Sequence, residues 1–184
     1  MANPFCVERA CDEQASLIKR MAALWMYREQ YATGAVLANA ACETLMQNHA
    51  HELLAFERTI DMAYSLAVKV RLNAHAPYSK FLVGCAVIDE AGSIHIGCNV
   101  ENASFGLTQC AERAAITAAV ASGSVKLVAA VLVTDTKEPV TPCGACRQVM
   151  SEFGLDMIVI SRTMDHARSL YVVGELLPSA FTSW

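Results

Sequence analysis

Two short segments hold the residues best suited to chemistry, Cys110-Ala111-Glu112 and Pro142-Cys143-Gly144-Ala145-Cys146. Cys143 and Cys146 stand three apart. In the first turn of a helix their sulfurs therefore share one face. Cys110 supplies a third sulfur from a different helix. Three thiolates and one open position make the donor set of a catalytic zinc site, whereas a closed structural site needs a fourth protein ligand. Helix N-termini favour thiolates through unpaired amides and the dipole, by roughly 0.3 to 1 kcal/mol per end. Glu112 is not needed as a ligand. A carboxylate there can take a proton from water and return it to a substrate nitrogen. Arg113 and Arg147 follow the cysteines closely, and hydrogen bonds from them to sulfur would leave the metal a stronger Lewis acid. On its own a C-x-x-C pair also suits a structural zinc knuckle or a redox pair. A redox pair, however, requires neither Cys110 nor Glu112.

The elements around these segments must bring them together. CAERAAITAAVASG over 110–123 reads as an alanine-rich helix ending at a glycine. CGACRQVMSEF over 143–153 reads as a second, shorter helix. Between them KLVAAVLVTD, 126–135, is an almost continuous apolar run, which suits a central strand covered on both faces. FLVGCAVID (81–89) and IHIGCNV (94–100) flank Glu90-Ala91-Gly92-Ser93 as a hairpin. MIVIS (157–161) and LYVV (170–173) add two strands, and GELLP (174–178) a last helical turn. Residues 51–74 form an amphipathic helix whose apolar face is Leu53, Phe56, Ile60, Ala63, Tyr64 and Ala67. Residues 1–50 read as one or two helices with a break near Thr33-Gly34. The order gives an α/β fold, a mixed five-stranded sheet with helices on both faces. We expect a helical N-terminal extension over 1–50 and a catalytic domain over 51–184.

Composition narrows the ligand class. The net charge is −4, where a protein that grips a nucleic acid polymer usually carries a basic face. A small-molecule ligand is the expectation. The start, MANPFCVERACDE, is acidic and lacks the apolar run of a secretory signal, and no stretch is long enough to span a bilayer. The expected compartment is the cytoplasm, where thiols stay reduced. Cys6, Cys11, Cys42, Cys85 and Cys98 lack ligand spacing and read as buried small hydrophobes. An apolar fraction of 54% against 17% charged exceeds what a lone monomer needs to hide.

From about Phe56 to Phe181 the chain resembles the small homotetrameric cytidine deaminases. The matching strings are APYSKF (76–81), VGCAV (83–87), GCNVENASFG (97–106), CAERAAI (110–116), PCGACRQV (142–149) and ELLPSAF (175–181). The resemblance implies a three-layer α/β/α cytidine-deaminase-like fold and one zinc ion per subunit. Cys110, Cys143 and Cys146 match the ligands and Glu112 the proton shuttle. Phe81 matches the aromatic residue packed on the pyrimidine, and Asn99 and Glu101 the groups that hydrogen-bond the ribose 3′-hydroxyl. Ala103, Phe105 and Ala111 fall on substrate-contacting positions, the first two at a subunit boundary. Phe181 matches a residue that reaches a neighbouring subunit's site. The implied reaction is hydrolytic deamination of free cytidine and deoxycytidine, a pyrimidine-salvage step, by a homotetramer. Phe105 departs from the usual tyrosine, and residues 1–50 have no counterpart in the minimal family member.

Three rival readings are weighed. A deaminase of a cytosine-containing antibiotic of the blasticidin type would share the cysteine motifs, but the NVENASFG segment favours a plain nucleoside. A polynucleotide-editing deaminase usually has His as first ligand and a basic surface. A silent zinc-stabilised interaction module has no use for Glu112 beside an open metal position.

Overall fold

The computed structural model describes residues 4–12, 14–34 and 38–181. Its contacts divide the chain into two units, Met1–Asp61 and Met62–Trp184. The first unit is helical: α1 (Pro4–Cys11), α2 (Leu17–Ala32), α3 (Ala40–Asn48) and the first half of α4 (Ala50–Arg71). That is three helices before residue 50, where periodicity alone suggested one or two. The additional break follows α1. There the Asp12 carboxylate accepts a hydrogen bond from the Gln14 amide at 3.0 Å, a local turn that competes with helix. The expected break at Thr33-Gly34 is present, with Gly34 at φ +73° after α2. Asn39 caps α3, its side chain accepting from the Cys42 amide at 3.1 Å. Leu24, Trp25, Tyr27, Leu53, Phe56 and Ile60 are buried, and Trp25 meets Phe56 edge to face.

The second unit carries a five-stranded sheet in the order β2-β1-β3-β4-β5. The strands are β1 (Gly84–Asp89), β2 (Ile94–Cys98), β3 (Leu127–Thr134), β4 (Ile158–Thr163) and β5 (Arg168–Val172). Only β3 and β4 run parallel, joined through α6 (Gly144–Phe153); the other pairs are antiparallel. Every residue of β3 is buried, as a central strand covered on both faces must be. One face of the sheet presents Cys85, Val87, Ala130, Leu132 and Val159. These pack with Ala111, Ala115, Ile116 and Ala119 of α5 (Ala111–Ala121) and Met150 of α6. The other face receives the second half of α4. A Cβ on Gly84 would overlap Ala67 O of that helix and lie 2.9 Å from Arg71 Cβ. The three layers and mixed sheet are those expected.

The hairpin between β1 and β2 is fixed by Asp89. Its Oδ1 accepts from the amides of Ala91 and Ser93 at 2.9 and 2.8 Å. Its Oδ2 meets His95 Nε2 at 3.0 Å and accepts from the Ser124 hydroxyl. Burial would raise this carboxyl, but hydrogen bonds from Ser124, His95, Ser93 and Ala91 outweigh it and hold it below its usual range. The pinned turn sets the β1–β2 register, in which Gly97 faces α5. A Cβ there would lie 2.7 Å from Ala111 O and collide with Ala115 N. This glycine therefore lets α5, with Glu112 near its start, lie directly on the sheet.

Of the five cysteines expected to be buried, Cys42 and Cys85 are. Cys98 is half-buried, and the side chain of Cys6 lies outside the described residues. Cys11 is exposed, because it ends α1.

Candidate active site

Cys110 and Cys143 occupy the N-cap positions of α5 and α6, with φ/ψ of −75°/154° and −66°/163°. A Ser or Asp there would turn back to a backbone amide. Neither cysteine makes a side-chain cap bond. Both thiols instead meet each other at 3.8 Å, and Cys143 meets Cys146 at 3.5 Å. All three sulfurs lie within 4.8 Å of one another, the one three-membered metal-capable group among the described residues. Zinc–sulfur bonds of about 2.3 Å at tetrahedral angles require sulfurs about 3.8 Å apart. The donor set and spacing thus fit zinc with a fourth position open. Cys146 is buried, Cys110 half-buried and Cys143 exposed, and the latter two line a cavity.

The electrostatics favour a thiolate at Cys110. Cys110 is drawn down to about 5, first by the hydrogen bond from Cys146 and further by those from Arg113 and Cys143. Cys146 is pushed up by the same hydrogen bond, then by burial and by Glu112. Arg113 Nη2 donates to Cys110 Sγ at 3.8 Å and to Thr108 O at 2.7 Å, as expected of a residue serving the sulfur. Arg147 corrects its expectation. Its guanidinium donates to Pro142 O at 2.7 Å, Thr141 Oγ1 at 2.9 Å and Leu176 O at 3.0 Å, rather than to a thiol. It braces the backbone just ahead of Cys143, because two of those oxygens belong to residues 141 and 142, before α6 begins, and the third to the C-terminal segment.

Glu112 is only 5% exposed, on the second residue of α5. Burial raises its carboxyl above the usual range, and the neighbouring Cys110 adds to the rise against a lowering from its own amide. A carboxyl raised in this way is a better proton acceptor than a solvated one. It lines a cavity of about 330 Å³ together with Phe81, Asn99, Glu101, Cys110, Ala111 and Cys143. That volume lies in the range of small-ligand sites.

The substrate-facing residues divide into two groups. Asn99 Oδ1 accepts from the Val83 amide at 2.8 Å and Nδ2 donates to Phe81 O at 2.9 Å. Its carboxamide thus holds the strand entry that carries Phe81, and keeps one N–H and one lone pair in reserve. Glu101 accepts from the Tyr78 and Ser79 amides at 2.9 and 3.2 Å and from the Ser79 hydroxyl. The Ser79 hydroxyl bond is the main cause of its lowered carboxyl. Phe105 meets Tyr78 edge to face and lines an adjoining cavity with Ser79, Glu101 and Thr108. Ala103 and Phe181 are exposed and line neither cavity. Sequence reasoning missed Leu132, Val140 and Thr141 in the main cavity, and Ser79 and Thr108 in both. Ser79 lies inside a matching string; the others carry no signal until the fold folds them inward.

Comparison with known proteins places this geometry. Residues 57–162 match the family described as "Cytidine and deoxycytidylate deaminase zinc-binding region". The chain is 48% identical over 118 residues to a cytidine deaminase of Halalkalibacterium halodurans, covering 64% of this chain and 89% of that one. It is 41% identical over 115 residues to a Mycobacterium tuberculosis cytidine deaminase, covering 62% and 84%. Among solved structures, a cytidine deaminase from Burkholderia pseudomallei superposes with a TM-score of 0.64 at 43% identity. That superposition covers 66% of this chain and 98% of the other. Three thiols at zinc spacing, a buried glutamate beside them and these likenesses agree: the chain belongs to the cytidine and deoxycytidylate deaminase zinc-binding family.

Proposed function

We infer that this protein is a zinc-dependent cytidine deaminase that hydrolyses cytidine to uridine and ammonia, and deoxycytidine likewise. The observation that carries the reading is the clustering of the Cys110, Cys143 and Cys146 sulfurs beside a cavity that Cys110, Cys143 and buried Glu112 line. The three cysteines would hold zinc, one ion per subunit. When bound, zinc supplies Lewis acidity that brings the pKa of water towards neutrality. Glu112 accepts the proton of the attacking water as its oxygen bonds to C4 of the base. The carboxyl then returns that proton to the ring nitrogen beside C4, takes the second proton from the new C4 hydroxyl and delivers it to the amino group; the C4–N bond breaks, ammonia leaves and the carbonyl forms. Ala111 and Phe81 shape the wall where the pyrimidine lies, and Leu132 and Val140 keep its far side apolar.

Asn99 and Glu101 are read as the ribose-facing pair. Each retains capacity after its backbone bonds: one N–H on Asn99, and one of about four lone-pair sites on Glu101. We further read residues 51–184 as the catalytic domain, 1–50 as an extension, and the protein as a cytoplasmic participant in pyrimidine salvage. Among the described residues no helix is long and apolar enough to cross a membrane. A homotetramer is supported by exposed apolar side chains on this unit, Phe105 at 75% and Leu107 and Phe181 close behind. Ala103 and Phe105 would then lie at a subunit boundary, and Phe181 would complete a neighbour's site. Sedimentation equilibrium is expected to give the mass of four chains.

The direct test is the fall in ultraviolet absorbance on mixing the purified protein with cytidine. The fall is expected with metal-loaded protein, lost after chelation and restored by zinc. A metal-loaded protein that leaves cytidine unchanged overturns the assignment.

A further inference from the structure

Two side chains that follow Cys146 on α6 reach the main chain of the C-terminal segment. Arg147 Nη1 donates to Leu176 O at 3.0 Å, the last residue of α7 (Val173–Leu176). Gln148 Nε2 donates to Phe181 O at 2.7 Å, and more weakly to Ser151 Oγ at 3.3 Å. Between these two points residues 177–181 belong to no helix or strand. They pass through Ser179 in a left-handed conformation at φ +58°. A segment without its own ladder takes its path from such side-chain bonds. Gln148 lines neither cavity and is not among the metal-capable thiols, so its place in the reaction must be indirect.

We propose that Gln148 is a positioning residue: its carboxamide fastens the Phe181 carbonyl to the helix that carries Cys146, and so fixes where the Phe181 ring is presented. Arg147 anchors the root of the same segment at Leu176. Phe181 is 66% exposed, and its ring makes no aromatic contact among the described residues. Its direction therefore depends on its backbone. The inference rests on the reading that Phe181 completes the site of a neighbouring copy. It adds that the helix bearing one subunit's metal ligand also aims the ring that this subunit lends.

The test is a double-mutant cycle on the metal-loaded protein, reading KM, kcat, zinc content and assembly for Gln148→Ala, Phe181→Ala and the pair. Gln148→Ala is expected to lower kcat/KM by roughly threefold to tenfold, the worth of one neutral hydrogen bond, mainly through KM. Zinc content and assembly should be unchanged. In the Phe181→Ala background the same change should do nothing further. Gln148→Glu, which keeps the size but cannot donate when ionised, should match Gln148→Ala, and Gln148→Lys, which donates, should recover part of the loss. Hydrogen exchange in a peptide spanning 176–181 should rise in the first two variants. Should Gln148→Ala fail to fold, the Glu and Lys variants carry the comparison. Additive effects with Phe181→Ala, or a wild-type Gln148→Glu, overturn the proposal alone. A silent Phe181→Ala overturns the shared-site reading and this inference with it.

Discussion

Glu112→Gln will bind zinc at wild-type content, fold as the wild type does, and turn over cytidine at least 10²- to 10⁴-fold more slowly. The lower bound is the usual cost of removing a general acid–base group. Zinc stays because the three sulfurs are untouched. Folding is not impaired because the carboxyl is a desolvated group whose ionised form the fold disfavours. The sign follows from linkage. A carboxyl raised in the folded state lends stability that is full below the ordinary carboxylate range and is lost as pH rises through its folded value. Metal-free wild-type protein should therefore lose more Tm than metal-free Glu112→Gln as pH rises from below the ordinary carboxylate range. Thermal melts at several pH values, beside metal analysis and the absorbance assay, check all three points. Near-normal turnover would remove Glu112 from the mechanism.

Much of this site was legible because its chemistry uses rare residues at fixed local spacing. Three thiolates and a carboxylate at helix starts have few other purposes, and the spacing of Cys143 and Cys146 translates directly into a sulfur separation of 3.5 Å. The hairpin at Glu90–Ser93 and the doubly covered β3 were legible for a similar reason, since turn residues and apolar runs act locally. What escaped depends on acceptors that every residue possesses. Arg147 was expected beside a sulfur, yet its partners include two main-chain carbonyls, which leave no mark in a sequence. Asn99 is tied to Phe81 O and the Val83 amide for the same reason. Thr108 and Thr141 enter the cavity only through the packing of segments distant along the chain. In the N-terminal unit the miscount of helices came from a short Asx turn at Asp12, and Cys11 proved exposed because it closes a helix.

Cys146→Ala separates the metal from the proton shuttle. Cys146 is the buried member of the triad, and its sulfur lies 3.5 Å from that of Cys143. Its loss leaves two thiols, one on each of two helices, and no described His, Asp or Glu completes a group of three with them. Outer partners of a metal ligand alone typically contribute 10- to 100-fold in affinity, so a missing ligand should weaken zinc by at least about 10²-fold. Purified Cys146→Ala should therefore carry under about a tenth of the wild-type zinc after dialysis, and turnover should fall to the rate of the uncatalysed control. Excess zinc should not restore it, whereas chelated wild type should recover on zinc addition. Held by these thiols, a metal would also join the starts of α5 and α6, where Cys110 and Cys143 are 33 residues apart. Losing that tie should lower Tm relative to loaded wild type, while Glu112→Gln keeps it. Two inactive variants with opposite metal content and opposite Tm shifts would assign holding the ion to the cysteines and moving the proton to Glu112. A Cys146→Ala protein that retains both zinc and turnover would show that another set of atoms holds the metal.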